Sequence, residues 1–181
     1  MIVVTGATGH IGNVLVRKLL ENRKQIRAII PPFEDNVPLE NLKVEIVRCD
    51  VRNAESLIEA FEGAEIVYHL AGIVTIMQGN DLLYQVNVEG TKNVVEACLK
   101  NDVKRLVYVS YVHALKEPPH GTVIDETCVY DPESSRGGYD RSKALASLEV
   151  LKGVDKGLDA VLVCSSGVIG PYDYKCPKWG N

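Results

Sequence analysis

Short apolar, β-branched runs alternate along the chain with longer segments in which apolar residues recur every three or four positions. The runs lie near 1–5, 26–30, 44–48, 65–70, 105–110 and 159–164. The helix-period segments are Ile11 to Asn22, Ala54 to Phe61, Leu82 to Lys100 and Tyr139 to Lys152. A run such as Arg105-Leu-Val-Tyr-Val is apolar nearly throughout, the pattern of a strand covered on both faces. The alternation therefore predicts βαβ units, an α/β fold with a doubly wound parallel sheet and helices on both faces.

Two stretches interrupt it. Pro31 to Pro38 holds three prolines and reads as a loop after the second strand. Lys116 to Gly138, with Pro118, Pro119, Pro132 and the Gly137-Gly138 pair, is a long loop of the kind that carries function or moves. Beyond Gly170 the periodicity ends, and Trp179 reads as an aromatic whose partner is missing. Residues 1–170 are thus expected to form one domain, and 171–181 the stub of a further, substrate-binding region.

Composition narrows the class. The 181 residues are 46% apolar and 24% charged, which excludes disordered, collagenous, coiled-coil and disulfide-miniprotein classes. A net charge of −4 gives no footprint for nucleic acid, and no apolar run is long enough to span a membrane. Cys49, Cys98, Cys128, Cys164 and Cys176 show neither a Cys-x-x-Cys pair nor metal-ligand spacing. They read as reduced thiols, and with no signal-peptide pattern after Met1 the expected location is cytoplasmic.

Two motifs carry chemistry. Thr5-Gly6-Ala7-Thr8-Gly9-His10-Ile11-Gly12 joins the first strand to the first helix. Glycines there permit a tight turn and close approach, while N–H groups at a helix start face a pyrophosphate. Gly6, Thr8, Gly9, His10 (through its backbone), Ile11 and Gly12 are the candidate contacts. NAD and NADP are both left open: two prolines follow the second strand, Glu34 and Asp35 lie beyond them, and Arg27 sits within the strand. The second motif is Tyr139-Asp140-Arg141-Ser142-Lys143, where spacing i, i+4 puts phenol and ammonium on one helix face. A lysine beside a tyrosine favours phenolate and suits the pair to acid–base work.

Together these motifs resemble the extended short-chain dehydrogenase/reductase family, in its NAD-dependent epimerase/dehydratase branch. Asp50-Val51 is similar to the family's adenine-contacting pair, and His69-Leu70-Ala71-Gly72 to the stretch passing the cofactor. Asn87-Val88-Glu89-Gly90-Thr91-Lys92-Asn93-Val94 and Gly167-Val168-Ile169-Gly170-Pro171 match further segments in order, so that the likeness runs over residues 1–174. The resemblance implies a Rossmann-like core and bound NAD or NADP, contacted by Asp50, Val51, Leu70, Ala71, Gly72, Tyr139 and Lys143. It also implies Tyr139 as acid–base residue, with Lys143 orienting the ribose and lowering the tyrosine pKa.

Three departures stand out. The family's catalytic Ser/Thr position falls on Tyr111, leaving Ser110 as the neighbouring hydroxyl that would have to replace it. Cys164-Ser165 stands where Asn-Pro is usual, and family members run on beyond residue 181. The implied function is a nicotinamide-dependent oxidoreductase or epimerase/dehydratase acting on a sugar nucleotide or a small carbonyl or hydroxyl compound. The alternative is a catalytically impaired NAD(P)-binding fragment or redox-sensing module. Val94, Val95, Cys98 and Leu99 form an apolar helix face, mostly core, although the resemblance also implies a homodimer, since the family often dimerises through such helices. His69, at a strand end, reads as a hydrogen-bonded core histidine.

Overall fold

The computed structural model describes residues 1–22, 24–74 and 81–174, so Cys176 and Trp179 lie outside the described part. Six parallel strands form one sheet: β1 (Ile2–Thr5), β2 (Ile26–Ile30), β3 (Glu45–Arg48), β4 (Ile66–His69), β5 (Arg105–Tyr111) and β6 (Ala160–Ser165). Their order is β3-β2-β1-β4-β5-β6, with the reversal between β1 and β4 that opens a crevice at the carboxyl ends of the strands. The predicted doubly wound sheet is therefore present, with each strand within about a residue of its expected bounds.

The helices are α1 (His10–Glu21), α2 (Ala54–Ala60), α3 (Asp81–Tyr84), α4 (Gly90–Lys100) and α5 (Gly138–Asp155). Asn53 caps α2 by accepting from the Ser56 N–H at 3.0 Å. One sheet face is closed by α2, α4 and α5 over a core that includes Val3, Leu57, Phe61, Val94, Leu106, Tyr108 and Val150. On the other face α1 lays Val16 against Val4, Ala28 and Ile30. That cover stops short of the β5–β6 side, where Val161 and Val163 are exposed next to their register partners Val107 and Val109.

The segment expected as one helix from Leu82 to Lys100 is instead interrupted. Between α3 and α4, Gln85–Glu89 forms a π-helical turn. Its extra residue turns Asn87 into the buried interior, where the side chain holds Ile73 and Ser142. Gly90 follows because a Cβ there would lie 2.7 Å from the Val51 side chain.

Candidate active site

The glycine loop is built by mutual exclusion of side chains. Gly6 has φ +66°, and a Cβ on it would meet the Ala71 nitrogen at 2.6 Å. A Cβ on Gly12 would reach the Gly6 carbonyl oxygen at 2.1 Å, so α1 approaches β1 as closely as two bare backbones allow. The Gly9 N–H donates to the Gly6 carbonyl at 3.0 Å, closing the turn. Neither a side-chain cap nor an acidic residue occupies the start of α1. Its first N–H groups, at His10, Ile11 and Gly12, thus keep the unspent donors and positive dipole end that suit a pyrophosphate. These residues fit the dinucleotide expected from the sequence.

The neighbouring strands supply the rim. Glu34 comes back over the loop, and its Oε1 accepts from the Thr8 hydroxyl at 2.6 Å. The loop carrying it is pinned by the Arg48 guanidinium, which donates to the Pro32 and Glu34 carbonyls at 3.2 and 2.9 Å. Arg27 is spent elsewhere: it donates to the Ala60 and Glu62 carbonyls at 2.8 and 3.0 Å, at the end of α2, and pairs with Glu45. Asp50 is gripped by Arg52 at 2.6 Å, which holds its carboxyl below the usual range, and Val51 is buried. Leu70, Ala71 and Gly72 follow β4 beside the loop, with the Ala71 N–H directed at the Thr5 hydroxyl at 3.3 Å.

At the other end of the crevice, Tyr139 and Lys143 occupy the first turns of α5. The Tyr139 phenol is pushed up to about 12 by burial, with Tyr111 and Asp140 adding to the rise. Lys143 is buried, its Nζ donating to the Val109 carbonyl at 2.6 Å and lying 4.3 Å from the centre of the Tyr108 ring. Burial lowers its amine to about 7. The expected lowering of the tyrosine by the lysine is thus not what this arrangement gives. The ammonium spends its hydrogen bond on β5, and desolvation of the phenol prevails.

Ser110 is 2% exposed, its Oγ 2.7 Å from Ser147 Oγ on α5. Tyr111, the next residue, packs at a tilt against Tyr139 and His113, with ring-centre distances of 5.5 and 4.8 Å and interplanar angles of 52° and 54°. The structure therefore brings Tyr111, not Ser110, alongside Tyr139.

Sequence reading missed Tyr130. Its hydroxyl lies 3.4 Å from Cys164 Sγ, and an antiparallel bridge to Leu115 fixes it in the long loop. Only the folded path of the loop brings it to β6. Asn13 was also missed: its amide donates to the Gly9 carbonyl at 3.0 Å and to that of Tyr172 at 2.9 Å. Arg17 lies 4.3 Å from the centre of the Tyr172 ring, and Asp173 stands 3.8 Å from His10 Nδ1. The segment after β6 is thus fastened to the start of α1.

Comparison with known proteins gives this geometry a family. Among curated relatives, "sterol demethylase protein B" of Methylococcus capsulatus is 35% identical over 174 residues, covering 96% of this chain and 53% of the relative. A putative dihydroflavonol 4-reductase of Synechocystis is 35% identical over 179 residues, covering 98% of this chain and 52% of the relative. The chain spans about half the length of the curated relatives it matches. Among solved structures, gox2253 superposes with TM-score 0.83 at 31% identity, covering 91% of this chain and 50% of that one. A Thermus thermophilus UDP-glucose 4-epimerase solved in complex with NAD gives 0.77 at 26%, covering 90% of this chain and 54% of that one. No described helix is long and apolar enough to cross a membrane. With the family model matching residues 3–177, the chain belongs to the 3-beta hydroxysteroid dehydrogenase/isomerase family, of the extended short-chain dehydrogenase/reductase type its motifs resemble.

Proposed function

We propose that this chain forms the dinucleotide-binding and acid–base part of a nicotinamide-dependent oxidoreductase or epimerase/dehydratase, acting on a small hydroxyl or carbonyl compound or a sugar nucleotide. The observation that carries this reading is one crevice holding the uncapped start of α1 at one end and the Tyr139/Lys143 pair at the other. The relatives named above include a reductase and an epimerase complexed with NAD, which supports the same class. The free thiols of Cys49, Cys98, Cys128 and Cys164 favour a reducing cytoplasm. A homodimer would form through helix surfaces other than the α4 face of Val94, Val95 and Cys98, which is buried in the core.

NAD is the preferred partner in this reading. Glu34 places a carboxylate over the glycine loop, where it suits a ribose diol and repels a 2′-phosphate. Arg27, the one cation within β2, is committed to the end of α2. When bound, the nicotinamide gives or takes the hydride. Tyr139 exchanges a proton between its phenol oxygen and the substrate oxygen. Lys143, one turn further along α5, carries the charge that favours phenolate once its ammonium faces the crevice.

A second reading is binding without turnover. Tyr111 at the family's Ser/Thr position, with Ser110 closed on Ser147, favours it. The deciding experiment is a thermal shift with each oxidised and reduced dinucleotide, followed by turnover assays. A ligand at about 100 times its Kd adds ~2.7 kcal/mol. At about 2–4 °C per kcal/mol for this size, NAD should raise Tm by ~5–11 °C and NADP by much less. The Glu34→Gln variant should narrow the gap. No shift with any dinucleotide would defeat the proposal. A shift without turnover, restored by Tyr111→Ser, would establish the second reading.

A further inference from the structure

A fully buried polar chain runs beneath the crevice floor, and His69 is its centre. Thr5 and His69 are register partners at the carboxyl ends of β1 and β4, both 0% exposed. Thr5 Oγ1 lies 2.7 Å from His69 Nδ1, and Thr91 Oγ1 on α4 lies 3.0 Å from His69 Nε2. The Thr91 hydroxyl donates to the Asn87 carbonyl at 2.6 Å. Its single proton is therefore used, and towards His69 it can only accept. Nε2 must carry the ring hydrogen, which leaves Nδ1 bare to accept from Thr5. The Thr5 oxygen in turn faces the Ala71 N–H at 3.3 Å.

Proton order is thus dictated at every link. Burial and the nearby Lys143 depress the ring's basicity to about 3, so it stays neutral. The Tyr108 ring lies 5.5 Å away, and its hydroxyl sits near Thr91 without an aligned hydrogen bond.

Both functional ends meet this chain. Ala71 belongs to the segment that excludes a side chain from Gly6. Asn87 brackets Ile73, receiving its N–H at 2.8 Å and donating to its carbonyl at 3.0 Å. The same amide donates to Ser142 Oγ at 3.0 Å, and that hydroxyl donates to the Tyr139 carbonyl at 2.7 Å.

We propose that His69, in the Nε2–H tautomer, is a positioning residue that locks the cofactor-facing Leu70–Ile73 segment to the glycine-loop strand and to the base of the catalytic helix. The inference rests on the dinucleotide-binding reading for what is positioned. The hydrogen-bond order itself does not depend on that reading.

The test has two arms. In the first, ¹⁵N-labelled full-length chain is examined by long-range ¹H–¹⁵N correlation at pH 7. His69 should show a protonated Nε2 and a bare Nδ1. An Nδ1–H or doubly protonated ring would overturn the proposal. In the second, Thr91→Val keeps the shape of the side chain and removes its hydroxyl, while Thr91→Ser keeps the hydroxyl. Measured well below each variant's Tm, T91V should weaken NAD binding about tenfold, and T91S should stay within twofold of the parent. NAD affinity unchanged in T91V would overturn the positioning role, as would equal losses in both variants, because the loss would then follow any change at this site rather than the hydroxyl that meets His69. Should T91V fail to fold, the ring tautomer and His69→Gln, which retains a donor and an acceptor, supply the same decision. Failure of the parent chain to bind any dinucleotide would defeat the functional reading instead, while the tautomer arm would still judge the hydrogen-bond chain.

Discussion

The two ends of the crevice are built by different means. At the glycine loop, position is set by backbone against backbone: Gly6 meets Ala71, and Gly12 meets Gly6, with no room for a Cβ. At the β5–α5 end, position is set by side chains whose state depends on what they touch. Lys143 donates to Val109, Ser110 pairs with Ser147, and the Tyr139 phenol is raised by burial. The first end is rigid by construction and complete as it stands. The second is adjustable, because a proton, a rotamer or a substrate oxygen can change its hydrogen-bond order.

The largest effect should come from breaking the rigid end. Gly12→Ala would force a Cβ to within 2.1 Å of the Gly6 carbonyl. Overpacking costs ~1–3 kcal/mol, so Tm should fall by about 2–12 °C, with dinucleotide binding lost, as thermal denaturation and titration would show. Tyr139→Phe should do the reverse. Affinity for dinucleotide should hold while any turnover falls by ~10²–10⁴. Equal losses in both properties for either variant would erase the contrast between the two ends.

A pH profile sharpens the contrast further. The Lys143 amine falls from 10.5 in the unfolded chain to about 7 in the folded one. Between these values the unfolded chain holds a proton that the folded chain has shed, so this group makes stability rise with pH across that window. Tyr139, raised to about 12, acts in the opposite sense above pH 10. Denaturation between pH 7 and 8.5 should therefore show an upward slope, before the buried Cys49 and Cys98 thiols, both raised above their ordinary value of 9.0, act in the opposite sense, and Lys143→Met should flatten it. The smallest effect is expected from Arg17→Ala, which removes the cation from the Tyr172 ring. A loss of ~0.5–1 kcal/mol, or about 1–4 °C in Tm, is the expected outcome.

How far the sequence could be read follows the same division. The strands, α1, α2 and α5 were legible because period and turn residues act over a few neighbours, as at Asn53 or the Gly6–Gly12 loop. The break between α3 and α4 was not. Leu82, Leu83 and Val86 fit a helical stripe, and only the distant partners Ile73 and Ser142 explain why Asn87 turns inward. The spacing of Tyr139 and Lys143 gave their shared helix but not the destination of the ammonium, which is set by the Val109 carbonyl on another strand. Tyr130 carried no local signal, since its meeting with Cys164 depends on the course of the loop from Lys116 onward. Long-range partners decided each of these cases.

The prolines after β2 have an evolutionary consequence. Lacking N–H groups, Pro31 and Pro32 end the strand's capacity to pair, and the acidic group over the glycine loop is delivered by the following turn instead, held by Arg48. Its address is therefore written in loop length rather than in the identity of a strand-end residue. Removing one residue between Pro31 and Glu34 would shift the carboxylate by up to ~3.5 Å, more than the 2.6 Å that joins it to Thr8. In the proposed reading, insertions and deletions in this turn, rather than point substitutions in β2, are the shortest path by which descendants of this chain would exchange one dinucleotide for the other.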